Sequence, residues 1–290
     1  MAAFPLPLRT MRQHGLTLIE LMLAITLGMG LTLAALALLN SVKSSYLAIH
    51  DQALIQDSGR YAIETIATTL RQANYVPRDE AAWSELDLSS LPAAVSGLDN
   101  RRLTAYAPAL TAAQDNTANH RSDVLAVRFF GSAEHAMLNC AGFAVNAPLA
   151  GADQDGQRGW SIFYVAADSI GIPELRCKYA TRDGGWNAAA IARGVEAFKV
   201  SYGMADDDGE LKQWQSAQHL TQQQWSRVVA VQFALLVRGE HPIGDDVEQV
   251  YQLLDATYHS NALVTISDRK HTRKLRQVFQ MTIRLRNPGT

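Results

Sequence analysis

Gly15 and Glu20 stand at the start of an apolar run in the segment His14-Gly15-Leu16-Thr17-Leu18-Ile19-Glu20-Leu21-Met22-Leu23. The run continues to Leu39 with Glu20 as its single charge. At about 24 residues it is long enough to cross the hydrocarbon core as a helix, for which about 20 suffice. An ionisable group in such a segment costs up to about 3 kcal/mol at the helix centre unless it is paired or reaches the interface, so Glu20 asks for a partner. A cut of the Gly15–Leu16 peptide bond would create an amine one helical turn from that carboxylate. The amine of a neighbouring subunit would serve equally well.

Elsewhere the residues that could do chemistry are sparse. The eight histidines, His14, His50, His120, His135, His219, His241, His259 and His271, form no metal-binding pair at helical spacing and no His-Glu-x-x-His run. There is no Gly-x-Ser-x-Gly elbow and no phosphate-cradling glycine loop. Asp206-Asp207-Asp208-Gly209-Glu210 is the best metal candidate, because Asp206 and Asp208 place oxygen donors on alternate residues and glycine allows the tight turn of a calcium loop. The full calcium-loop pattern is absent, and a solvated acidic turn is the default reading; Asp153, Asp155 and Gly156 form a weaker version of the same kind. The expectation is therefore no metal, no cofactor and no catalytic site. From Arg269 to Arg286 the chain is basic, with Leu275, Phe279, Met281, Ile283 and Leu285 on one strand face and Arg276, Arg284 and Arg286 on the other. That basic face reads as solvated, with DNA phosphate or an acidic neighbour as the alternative contact. No aromatic residues are interleaved there as single-strand stacking requires, and a net charge of -2 also argues against general nucleic-acid binding.

The elements that position these residues follow from patterning. An ordinary secretory signal puts its small-residue cleavage site after the apolar stretch, whereas here the glycine precedes it. Arg9 and Arg12 lie before the run, which favours a cytoplasmic N-terminus and a translocated C-terminus. Met11 is an alternative start to Met1. Cys140 and Cys177 both follow the anchor and would meet an oxidising compartment, which favours a disulfide; the alternative is two buried thiols.

From Ser41 to Asn74, Val42, Tyr46, Ile49, Ala53, Ile63, Ile66, Ala67, Leu70 and Ala73 recur at steps of three, four or their sums, one stripe of an amphipathic helix. Ser58-Gly59 interrupts the pattern and predicts a kink, and Pro77 ends it. The stretch between Arg78 and Arg121 reads as loops with short helices. Strands are predicted over 123–130, 160–166, 174–179, 195–202, 228–237 and 275–285, separated by turns such as Asp183-Gly184-Gly185. The fold class is α+β, with a long N-terminal helix, transmembrane then amphipathic, laid on an antiparallel sheet head.

Gly15-Leu16-Thr17-Leu18-Ile19-Glu20-Leu21 resembles the processing site of type IV pilins and type II secretion pseudopilins, with Leu16 in place of the usual phenylalanine. Gly59-Arg60-Tyr61-Ala62-Ile63-Glu64, Ser122-Asp123-Val124-Leu125-Ala126-Val127-Arg128, Gly194-Val195-Glu196-Ala197-Phe198, Trp225 with Val228-Val229-Ala230-Val231, and Val278-Phe279 follow the order seen in PilW-type minor pilins and the related J-type pseudopilins. The apolar run contains no proline, unlike many major pilins, and the stretch before Arg121 is not covered by the resemblance.

The resemblance implies a pilin-like fold divided into a prepilin leader (1–15), a transmembrane and stalk helix (16–75) and a periplasmic head (76–290). It implies cleavage after Gly15 by a prepilin peptidase, methylation of the new amine at Leu16, and an assembly register set by Glu20. The protein would sit in the inner membrane by a single pass and then enter the fibre or its tip. Its partners would be other minor pilins, the major pilin, the peptidase, the inner-membrane assembly platform and, at a tip, an adhesin. A structural role in priming or capping a type IV pilus is expected, not an enzyme; the alternatives are a secretion pseudopilin, an anchored periplasmic enzyme and a DNA-receptor pilin.

Overall fold

The computed structural model describes residues 15–77, 90–115, 120–149, 153–242, 248–263 and 274–287. The chain divides into two compact units, Met1–Leu47 and Ala48–Thr290. Helix α1, Leu18–Arg71, contributes to both and carries Glu20 in its first turn and Arg71 in its last, each charge favourable to the helix dipole.

In the first unit every described residue as far as Tyr46 is solvent-exposed, including the leucines, isoleucines and methionines of the apolar run. Among the described residues α1 is the one helix long and apolar enough to cross a membrane.

In the second unit α1 buries Asp51, Ile55, Gly59, Ala62, Ile63, Ile66, Ala67 and Leu70, spaced by three and four so that they share one face. The upper half of the predicted stripe is thus present, but the lower half is out of phase. Ile49 and Ala53 are exposed, and burial runs instead through Asp51 and Ile55, about half a turn away. Apolar spacing marked a face there that the head does not cover. Helical assignment continues without interruption through Ser58-Gly59, and the glycine there serves close packing. A Cβ on Gly59 would lie 2.4 Å from Cε2 and Cζ of the Phe279 ring. The helix stops before Pro77 because Asn74 turns into the left-handed region at φ 55° and donates its N–H to the Arg128 carbonyl at 3.0 Å.

Two antiparallel sheets build the head. The first has the order β1 (Val95–Leu98), β4 (Val124–Phe129), β5 (Gly159–Ala167), β6 (Pro173–Ala180), β7 (Trp186–Arg193). The second has the order β13 (Lys274–Arg284), β10 (Val228–Pro242), β8 (Val195–Ala205), β9 (Leu211–Gln215). Small hairpins are formed by β2 (Arg101–Arg102) with β3 (Gln114–Asp115), and by β11 (Val250–Leu253) with β12 (Ala256–His259). One core joins the buried face of α1 to Leu125, Val127, Phe129 and Phe163 of the first sheet and to Phe198, Val231, Phe233 and Leu235 of the second. Each fully buried leucine, isoleucine or phenylalanine there contributes about 2 kcal/mol by removal from water.

All six predicted strands are present. The segment read as loops with short helices instead supplies β1, β2 and β3, and its Leu98, Leu103 and Leu110 cover the far face of the first sheet over Val124, Ala126, Ile162 and Tyr164. That is why β4 is buried on both faces. Strands β7, β9, β11 and β12 were not anticipated. In β7 the cause is an alanine-rich sequence, Trp-Asn-Ala-Ala-Ala-Ile-Ala-Arg, with little intrinsic strand preference.

Gly194 carries the chain from one sheet to the other. Its N–H donates to the Pro173 carbonyl at 2.8 Å and its own carbonyl accepts from Arg238 N at 2.9 Å. With φ at +82° and a hypothetical Cβ only 2.6 Å from the Arg238 oxygen, no other residue fits without strain. Ser122 and Asp123 close the edge of β8 where β9 stops: Asp123 N donates to the Phe198 carbonyl at 2.8 Å and Phe198 N to Ser122 Oγ at 3.1 Å.

Candidate assembly site

The scissile position predicted from sequence, Gly15–Leu16, precedes the helix and is exposed, with nothing within 4 Å of a Cβ built on Gly15. Immediately after it Thr17 and Glu20 close a capping box. Glu20 Oε2 accepts the Thr17 N–H at 2.9 Å and the Thr17 hydroxyl at 2.9 Å, while Glu20 N donates to Thr17 Oγ1 at 3.3 Å. A threonine followed three residues later by glutamate satisfies orphan N–H groups at a helix start reciprocally. Sequence reasoning treated Glu20 only as a group in search of an amine and missed this local partner, although the Thr-x-x-Glu spacing was in plain view. Glu20 Oε1 accepts no hydrogen bond among the described residues, so the carboxylate keeps an open acceptor.

In the second unit the polar residues of interest are structural ties. The fully buried Asp51 on α1 accepts the His241 N–H at 2.8 Å on Oδ2, and Oδ1 faces His241 Nδ1 at 2.7 Å. Gly239 makes room for this contact, since a Cβ there would sit 2.3 Å from Asp51 Oδ2. Glu196, also fully buried, faces Arg276 Nε at 2.6 Å and Arg238 Nη1 at 3.2 Å. Asp123 Oδ1 accepts from Lys199 Nζ at 2.6 Å and from Asn100 N at 2.9 Å, and Oδ2 accepts from Val200 N at 3.0 Å. Burial outweighs these contacts and pushes the Asp123 carboxyl up to about 6. Arg128 and Arg158 converge on Asp155 Oδ1, at 2.5 and 3.0 Å. Burial, and then the neighbouring Arg128, hold Arg158 down to about 10.

The other predicted residues fall as follows. Cys140 and Cys177 form a disulfide with a Cα–Cα distance of 5.9 Å, tying the 138–144 turn to β6. Asp206 Oδ1 accepts the N–H groups of Asp208 and Glu210 at 3.1 and 2.9 Å, so one oxygen of the calcium candidate is engaged by its own turn, and Asp208 is exposed. Phe279, Met281 and Ile283 on β13, and Leu285 just after it, pack into the core as the period-two pattern requires. The basic face does not stay solvated throughout: Arg276 is buried against Glu196, while Arg284 is exposed and 3.9 Å from Glu210. Burial holds Lys274 down to about 8. Arg269, Lys270, Arg273 and His271, like Arg9, Met11, Arg12 and His14, lie outside the described residues. The remaining polar ties escaped sequence reasoning because their partners are far apart in the chain and are brought together only by tertiary packing.

The architecture is the expected one, a long N-terminal apolar helix whose second part packs on antiparallel sheets. Residues 162–287 match the model of the PilW family, type IV pilus-assembly protein W. The match runs from within β5 through β13, takes in the whole second sheet, and spans somewhat less than half of the chain. Among solved structures, the type IV-like pilin TTHA1219 from Thermus thermophilus is similar at 13% identity over 81% of this chain and 98% of that one, with a TM-score of 0.38. At that score the superposition is loose and carries no weight beyond the likeness itself. No curated protein matches the chain. The family match supports a structural component related to the type IV pilus.

Proposed function

We infer that this chain is a minor pilin. It is made as a prepilin with its leader on the cytoplasmic side, held in the inner membrane by Leu16 to Leu39, cut after Gly15 and methylated at Leu16, with its head in the periplasm. It then joins other minor pilins in a complex that primes or caps a type IV pilus. The observation that carries this reading is the exposed, non-helical Gly15–Leu16 bond directly before the apolar helix start capped by Thr17 and Glu20, in a chain whose C-terminal strands match a pilus-assembly family.

Mechanistically, Leu16 to Leu39 supplies apolar packing against neighbouring helices and Glu20 supplies axial register. In the lone chain the capping box satisfies Oε2. The open Oε1 is free for a neighbour's Leu16 amine, and a carboxylate has lone pairs enough to accept both. A stagger that left either charge unpaired in a low-dielectric core would cost several kcal/mol, so one register is favoured.

The test is intact mass and N-terminal sequencing of the membrane-extracted protein from cells with and without prepilin peptidase. A mature start at methylated Leu16 that vanishes without the peptidase supports the reading; a leader retained in both strains overturns it. Affinity isolation of crosslinked partners then separates pilus subunits from those of a secretion pseudopilus.

A further inference from the structure

On the outer face of the second sheet, at the β9 end, lies an open groove of about 770 Å³ whose lining is dominated by side-chain amides. Gln232 on β10 and Gln280 on β13 rise from the floor beside Ser201 of β8, which is the register partner of Gln232. Gln218 and His219 stand on the short helical turn after β9, and the β11–β12 turn at Leu254 and Asp255 forms the opposite wall. Trp214 of β9 borders the groove and stays 38% exposed. Its ring can lie on the sheet because its register partner is Gly203, where a Cβ would meet Trp214 Cζ3 at 3.1 Å and Leu211 Cδ1 at 2.5 Å.

The side-chain amides of Gln218, Gln232 and Gln280 make no hydrogen bond among the described residues, whereas Gln252 in the far wall is held by Leu254 and Thr257. Three free amides on one concave surface offer paired donors and acceptors, and an indole face beside them offers an apolar platform. Among the described residues no lysine or arginine lines the groove, which disfavours a phosphate or sulfate ligand.

The geometry points to a binding groove for a neutral glycan, with the amides of Gln218, Gln232 and Gln280 hydrogen-bonded to sugar hydroxyls and one pyranose ring stacked on Trp214. Vicinal hydroxyls match a carboxamide, which gives and takes at once, and the C–H face of a pyranose matches an indole. The site belongs to the head alone and holds whether or not the chain enters a pilus.

The test is saturation-transfer NMR on the full chain in lauryldimethylamine oxide micelles, a detergent without sugar. The probes are cellohexaose, chitohexaose and maltohexaose, with a sulfated heparin hexasaccharide for contrast. Transfer to ring protons of at least one neutral probe is expected. Trp214→Ala and, separately, the double variant Gln232→Leu/Gln280→Leu should each weaken that binding about tenfold, while Trp214→Phe should retain it within about threefold. A silent result for all three neutral probes at about 5 mM would overturn the proposal. So would binding of the heparin probe alone, or binding that neither set of substitutions alters.

Discussion

Replacement of Gly59 by alanine tests how α1 is seated on the head. Gly59 lies inside a helix without positive φ, so alanine is acceptable to the backbone and gains about 1 kcal/mol in helix propensity. Against this stands the Phe279 ring. The new Cβ would be 2.4 Å from two of its carbons and 2.6 Å from a third, where about 3.4 Å is ordinary contact. Phe279 is on β13, held in register opposite Leu235 of β10, so the ring rather than the backbone must give. Overpacking of this kind costs about 1 to 3 kcal/mol.

The net for Gly59→Ala is a destabilisation of about 1 kcal/mol. In a Phe279→Ala background the clash is gone and only the propensity gain remains, so the same change should stabilise by about 1 kcal/mol and the cycle should show a coupling of about 2 kcal/mol. Urea unfolding of the full chain in micelles, followed by tryptophan fluorescence, reads all four corners. A coupling below about 0.5 kcal/mol, or equal stabilisation in both backgrounds, would refute the claim that glycine is there for the ring.

Glu196→Gln should cost about 3 to 5 kcal/mol in the same assay, because it removes the fully buried carboxylate charge that Arg238 and Arg276 both face. An effect under about 1 kcal/mol would mean that the guanidiniums find water or another acceptor. Asp123 has a folded pKa of about 6 against an unfolded 3.8, so its protonated form is favoured on folding: its contribution is fully present below about pH 4 and is lost as pH rises through about 6. Between pH 4 and 7 the wild type should therefore lose up to about 3 kcal/mol relative to Asp123→Asn, and parallel pH profiles would contradict that origin. The Cys140–Cys177 bridge, with a sequence separation of 37, should contribute about 4 kcal/mol by restricting the unfolded chain. The paired serine variant should lose that much by urea unfolding, and an unchanged midpoint would count against a bridge of this kind in the native protein.

Patterns that act over a few residues were legible in the sequence. The apolar run is helical from Leu18, as the first part of α1, because its residues need no partner beyond one another's backbone, and Thr17-x-x-Glu20 caps it by the same short-range logic. The strands β4, β5, β6, β8, β10 and β13 announced themselves by alternation, and Phe279, Met281 and Ile283 sit inward as that period demands. What tertiary structure decided is which faces are covered and by what. Ile49 and Ala53 look like part of a buried stripe, yet the head covers the face of Asp51 and Ile55, because a buried carboxylate is admissible once His241 and Gly239 are brought to it. Arg276 looks solvated until Glu196, 80 positions away, is placed beneath it. Helix periodicity and strand alternation are properties of the local backbone and are written in neighbouring residues. Burial, charge pairing and the amide-lined groove depend on strand order, which local sequence does not encode.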